Sequence, residues 1–317
     1  MEEITPKRSN KKEIIIFILL VLSVSANFFF LVKLNSNVVS NEENFNLIVP
    51  SGKEIIIDSD METDWIIHYE GLKRLLEEEI GKYNGTGKVG FFIQDIKTGA
   101  WLGINEKEEF APASLLKIPI MMSALKKVER GEITLKDEVM ITKNDFDPLY
   151  GSLHREGEIK ISILQLLKKM IISSDNTAKN AIVRQLSDTD IDSVFVHIGI
   201  KDPFLTNQEN VISPRDYIRI FKSLYYSTYL SRDLSEFALD LTTDTSEESL
   251  ISKGVPSEIQ VAHKFGVAGE EELHDCGIVY HHKNPYFICV MTKSLGFEKS
   301  KELIVNLSKK VYDFVNV

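Results

Sequence analysis

Three short groups of residues in this chain have the types and spacing for covalent chemistry. Ser114 and Lys117, in Ser114-Leu115-Leu116-Lys117, follow Pro112 and open a predicted helix that runs to Gly131. Positions i and i+3 share a helix face, so the hydroxyl and the amine can meet one turn apart. Leu115, Leu116, Ile118 and Ile120 flank the lysine and favour its burial. Burial disfavours an ammonium, and an amine that has shed its proton can accept one from the serine. The second group is Ser174-Asp175-Asn176, between two predicted helices, and the third is His263-Lys264-Phe265-Gly266, at the end of a predicted strand. Each group also has an ordinary structural reading. The first can be a cap and a solvated charge, the second an N-cap, and the third a strand with one exposed lysine before a turn.

The elements that must position these residues come in a definite order. Apolar positions at helical spacing run over 65–82, starting at Trp65 after the capping candidate Thr63. Two β runs follow, 89–96 and 100–104, joined by the hairpin signal Lys97-Thr98-Gly99. The middle of the chain is helical: Ile163, Leu166, Leu167, Met170 and Ile171 mark one amphipathic helix, and others fall near 176–186, 189–198 and 214–228. Strands are expected at 259–266, 277–281 and 286–291, the last two joined by His282-Lys283-Asn284-Pro285, and a helix at 300–315 closes the chain. Strands at both ends around a helical middle predict an α+β domain, an αβα sandwich whose antiparallel sheet is formed from both ends of the domain.

Composition sets outer limits. Of the 317 residues, 43% are hydrophobic and 26% charged, the balance of a globular chain, and the formal net charge of -10 argues against nucleic acid as a partner. Two cysteines, Cys276 and Cys289, are too few for a disulfide scaffold or a cysteine zinc site. With the hairpin centred on 282–285, residue 276 would face 291 and residue 289 would face 278. The two sulfurs would then stand diagonally, about 7 to 8 Å apart at the backbone, and two free thiols are expected. Residues 14–32 carry no charge across nineteen positions, enough as a helix to span roughly 28 Å of hydrocarbon. Lys7, Arg8, Lys11 and Lys12 precede this run, while Lys33 stands alone after it. The positive-inside rule then orients an uncleaved transmembrane anchor with everything beyond it outside the cell. A cleaved signal peptide ending near Val24-Ser25-Ala26 is the alternative. The expected organisation is a cytoplasmic tail at 1–13, an anchor at 14–32, a stalk at 33–62 and a globular domain at 63–317, acting as a monomer.

In order and placement the three groups resemble the S-x-x-K, S-D-N and K-T-G signature of class A β-lactamases and penicillin-binding proteins. The sixty residues from Ser114 to Ser174 match the class A spacing, and the resemblance covers roughly 65–317. It implies a serine hydrolase without metal or cofactor. Ser114 would be the nucleophile on a D-Ala-D-Ala-like amide or a β-lactam, and Lys117 the acylation base. Ser174 would relay the proton to the leaving nitrogen, held by Lys264. Asn176 would bind the substrate's side-chain amide, and Tyr150 would wall the cleft. Backbone N–H groups of Ser114 and Val267, the latter just past Gly266, would form the oxyanion hole.

The departures are equally specific. Phe265 stands where the family usually has Thr or Ser, and strand alternation would turn it away from the face carrying Lys264, into the core. Cys276 lies near the position of a carboxylate-binding arginine. Pro119, inside the predicted helix, should remove a backbone hydrogen bond and kink it. The stretch from the Ser174-Asp175-Asn176 group to Lys264 is shorter than in class A enzymes, and the part between Asn176 and Pro214 holds no Glu-x-x-Leu-Asn; Glu209 is the candidate deacylation base. Three functions compete: a D,D-peptidase-like or slowly deacylating acyl-serine enzyme, a true β-lactamase, and a non-catalytic cell-wall-binding module.

Overall fold

The computed structural model describes residues 69–83, 87–200, 211–243, 250–269 and 271–316. The apolar run 14–32, the stalk, Thr63, Trp65 and Glu209 lie outside these residues. Among the described residues no helix is long and apolar enough to cross a membrane.

A five-stranded antiparallel sheet organises the fold. Strands β1 (Lys88–Asp95) and β2 (Trp101–Ile104) come from the first half. Strands β5 (Val261–Ala268), β6 (Glu272–Val279) and β7 (Tyr286–Lys293) come from the last part, and the spatial order is β2-β1-β7-β6-β5. The two ends of the domain meet where β1 pairs with β7, from Lys88 opposite Lys293 to Asp95 opposite Tyr286. Every residue of β6 is buried, as expected of a strand covered on both faces. One cover consists of α1 (Glu70–Gly81) and the closing helix α8 (Phe297–Val315), whose Leu72, Leu76, Leu303, Leu307 and Val311 pack with Phe91, Ile93, Ile288 and Val290 of the sheet. Burying each such side chain stabilises by about 1.5 to 3 kcal/mol.

The helical middle contains α2 (Lys117–Glu129), α3 (Ile163–Ile172), α4 (Asn176–Val183), α5 (Asp188–His197), α6 (Pro214–Tyr225) and α7 (Arg232–Thr243). Helix α7 was not foreseen, nor was the small hairpin of β3 (Glu138–Met140) with β4 (Lys160–Ser162). In α2 every residue from Lys117 to Leu125 is buried, so the helix is the apolar axle of this part. Pro119 does not interrupt it. The α-helix begins at Lys117, after a 3-10 turn at Ala113–Leu116, so the proline lies in the first turn, where N–H groups have no intrahelical partner. The Leu115 carbonyl, four residues before the proline, accepts a hydrogen bond from the Tyr217 hydroxyl at 2.9 Å.

The cysteine expectation fails, and the reason lies in the turn. Strand β6 ends at Val279 opposite Tyr286, which places Cys276 directly opposite Cys289, and the two form a disulfide. The connection is two residues longer than the sequence signal suggested, because the His281 Nδ1 accepts from the backbone N–H groups of Lys283 and Asn284 and draws the chain out of the ladder early. A register shift of two leaves every side chain on its expected face but converts a diagonal pair into a facing one. Titration of the denatured chain without reductant should therefore find no thiol; two thiols per chain would contradict the pairing.

Candidate active site

The structure brings Ser114, Lys117, Ser174, Asn176 and Lys264 together from three separate elements. The 3-10 turn and the start of α2 carry Ser114 and Lys117, with the Lys117 Nζ 3.0 Å from the Ser114 Oγ. Nζ also lies 2.9 Å from the Ser174 Oγ, 2.5 Å from the Ser174 carbonyl oxygen and 2.7 Å from the Asn176 Oδ1. From β5, the Lys264 Nζ reaches the Ser174 Oγ at 3.2 Å and its neighbour's carbonyl, that of Phe265, at 3.1 Å. Lys117, Ser174 and Lys264 are buried, whereas Ser114 and Asn176 are partly open.

The second motif fulfils its ordinary reading and its functional one at once. Asp175 caps α4, accepting the Ala178 N–H at 2.9 Å, and also holds the Leu153 N–H at 2.8 Å. That leaves Ser174, on a left-handed backbone (φ 52°), and Asn176 to face Lys117. Tyr150 joins through its backbone: its carbonyl accepts the Asn176 N–H at 3.0 Å. The next residue, Gly151, also has positive φ, and a Cβ there would meet Asp175 side-chain atoms within 2.1 to 2.4 Å, so glycine is required. Gly266 permits another close approach, since a Cβ on it would stand 3.1 Å from the Pro112 carbonyl and 3.3 Å from the Leu115 nitrogen. Strand β5 thus runs tightly against the turn that carries Ser114, with Val267 following Gly266 at its partly open end.

Phe265 is buried in the core as expected, yet it is not remote from Lys264. Its ring centroid lies 4.1 Å from the Lys264 Nζ, an ammonium over an aromatic face, so it forms part of the surroundings of the cationic group. Cys276, near the position of the family's carboxylate-binding arginine, is committed to the disulfide.

The electrostatics follow from crowding. Burial, and after it the like charges of Lys264 and Lys179, lower the Lys117 pKa from 10.5 to about 7, against the opposing pull of Asp175 and Asp147. A donor count adds to this. An ammonium has three N–H donors, and four acceptors stand within reach. The Ser174 carbonyl and the Asn176 side-chain oxygen can only accept, so they take two N–H groups. The remaining direction faces the hydroxyls of Ser114 and Ser174, each able to donate or accept. It can hold either an N–H or the lone pair of a neutral amine. A group so placed can remove a proton from one hydroxyl and pass one to the other. Among the described residues no carboxylate pairs with Lys117, and no cluster of His, Cys, Asp and Glu could hold a metal ion.

Sequence reasoning passed over Tyr217, Glu272 and His274, which hold the Ser114 turn from outside. Their signal was present but faint: Glu272 and His274 share one face of a strand otherwise dominated by apolar residues.

The model of the β-lactamase enzyme family matches residues 71–315, and the chain belongs to that family, a serine hydrolase of the β-lactamase-like superfamily. A β-lactamase of Bacillus amyloliquefaciens is 25% identical over 250 residues, 71% of this chain and 79% of that protein. β-Lactamase VEB-1 of Pseudomonas aeruginosa is 24% identical over 201 residues, 57% and 67% of the respective chains. The structure of PBP-A aligns with a TM-score of 0.72 at 24% identity, over 78% of this chain and 96% of that one. A single-substitution variant of PBP-A, solved as an acyl-enzyme complex with penicillin G, aligns at 0.71 and 25% identity, over 78% and 96% of the chains. A β-lactamase from Sphaerobacter thermophilus gives 0.72 at 22% identity, over 79% and 98%.

Proposed function

We propose that this enzyme forms an acyl-serine intermediate at Ser114 with D-Ala-D-Ala-type peptides and β-lactams, and that it releases the acyl group slowly, in the manner of a D,D-peptidase. The observation that carries the proposal is Lys117, a buried amine with its pKa lowered to about 7 and within 3.0 Å of both serine hydroxyls. Lys117 takes the Ser114 proton as the oxygen attacks the carbonyl. Backbone N–H groups of Ser114 and Val267 stabilise the oxyanion. The C–N bond then breaks as Ser174 delivers a proton to the leaving nitrogen and is reprotonated by Lys117, with Lys264 fixing the Ser174 oxygen. Asn176 and Tyr150 line the substrate's path, and no metal or cofactor takes part. We place the domain outside the cell on the 14–32 anchor, where cell-wall peptides are found.

Slow release follows from what the water-attack step needs. A base must orient a water on the ester, and the sequence between Asn176 and Pro214 lacks the motif that supplies one. Missing general-base help costs about 10² to 10⁴ in rate. A pre-steady-state burst of one acyl group per chain, followed by turnover well under about 10 s⁻¹, is expected with a chromogenic β-lactam. Faster turnover would overturn slow release. If that turnover vanished in Glu209→Gln, the reading favoured by the β-lactamase relatives, true β-lactam hydrolysis, would replace it. Release of terminal D-Ala from a peptide ending in D-Ala-D-Ala would support the peptidase arm.

A further inference from the structure

The turn that carries Ser114 contains strain and is held from outside as well as from within. Ala113, immediately before the serine, has φ 50°, a backbone conformation that a residue with a Cβ adopts only when its surroundings impose it. Inside the turn the Leu115 N–H donates to the Pro112 carbonyl at 3.0 Å, and the Lys117 N–H donates back to the Ser114 carbonyl. The remaining restraints come from elsewhere. The N–H and carbonyl of Phe110 both bond to Ile212, at 3.1 and 2.9 Å. The Ala111 N–H donates to the Glu272 Oε2 at 3.0 Å, and the Ala111 carbonyl lies 2.9 Å from the His274 Nε2. The His274 Nδ1 accepts the Thr292 N–H at 3.3 Å, which leaves Nε2 as the protonated nitrogen that donates to Ala111. Glu272 is itself fixed by Lys293, whose Nζ is 2.9 Å from its Oε1. On the far side of the serine, the buried Tyr217 hydroxyl donates to the Leu115 carbonyl.

We infer that Glu272 and His274 of β6 and Tyr217 of α6 are positioning residues for acylation: they clamp the backbone at Ala111 and Leu115 and so set the Ser114 hydroxyl against Lys117. The inference rests on the proposed acyl transfer at Ser114. None of the three side chains hydrogen-bonds to Ser114 or Lys117, so their action passes through the main chain. Its leverage is geometric. The reacting oxygen sits three residues from one clamp point and one from the other, and a misplacement near 1 Å costs on the order of 10² in rate. Without the clamps, the backbone polar groups of half-buried Ala111 and buried Leu115 would lose these partners, and the cheapest relief is for the turn to move.

Two readouts on the full chain test this: the acylation rate at saturating fluorescent penicillin, and hydrogen exchange of peptides covering 110–118 against 163–172 in α3. Tyr217→Phe removes one oxygen and keeps the ring, which packs edge-on to Phe221. His274→Ala removes the donor to Ala111, and His274→Gln restores an N–H donor. Tyr217→Phe and His274→Ala should lower the acylation rate constant by about 10- to 100-fold with little change in the half-saturating concentration. They should also speed exchange in 110–118 but not in 163–172, and His274→Gln should recover part of both effects. Glu272→Gln, which keeps an acceptor oxygen, should fall between wild type and Glu272→Ala. Unchanged exchange in 110–118, an equal rise in both peptides, or acylation within about twofold of wild type in Tyr217→Phe and His274→Ala would overturn the clamp. Should the wild type itself take no label while the exchange difference persists, the acyl-transfer reading falls and the clamp on the turn stands.

Discussion

Ser114→Ala is expected to abolish covalent capture of β-lactams while leaving a folded protein. The side chain is small and partly exposed, so truncation removes little packing. Lys117 loses one of its four oxygen neighbours and keeps Ser174 and Asn176. The chemistry, by contrast, loses the atom that forms the bond. Nothing nearby substitutes for it: the Ser174 hydroxyl is buried between two lysines and turned toward both. Removing a nucleophile of this kind lowers the rate by at least about 10⁴-fold. Intact mass after incubation with penicillin reads the outcome directly, and an acylated alanine variant would remove Ser114 from its role.

The second large effect is at Lys117. Its burial, with Lys264 and Lys179 adding like charge, brings its pKa to about 7, and only the neutral amine can accept a proton. The acylation rate should therefore rise with pH through about 7 and then level off. The sign extends to stability. The unfolded lysine holds its proton up to its ordinary value near 10.5, so between about 7 and 10.5 the unfolded state binds more protons and stability rises with pH. Lys117→Ala should slow acylation by about 10² to 10⁴. Lys117→Arg separates charge from basicity, because a guanidinium stays protonated. If the lysine acts as a base, arginine should be as slow as alanine and the pH limb should vanish. Wild-type rates with arginine would mean that positive charge alone is needed.

Much of this site was legible because its motifs fall at the ends of elements with plain signals. The α3 helix pattern, the capping Asp175 and the late strand around Lys264 each place a reactive group without knowledge of the rest. What was not legible depends on contacts distant in sequence. The facing cysteines hinged on how early His281 drew the chain out of the ladder. The harmlessness of Pro119 depended on where the α-helix begins, and the Leu115 carbonyl before it is met by a hydroxyl 102 residues away. Strand alternation sent Phe265 away from Lys264, whereas the long lysine side chain brings its ammonium over the ring. The lowered Lys117 pKa was foreseeable in direction from its apolar flanks. The share owed to Lys264 required the third dimension.

The measurement that bears most directly on the central claim is time-resolved mass spectrometry after a single mixing with benzylpenicillin, followed by peptide mapping. The account predicts one penicilloyl adduct per chain, carried by the peptide containing Ser114, that forms completely and persists after free drug is removed. An adduct on another residue, or a wild-type chain that takes up none, would contradict acyl transfer at Ser114.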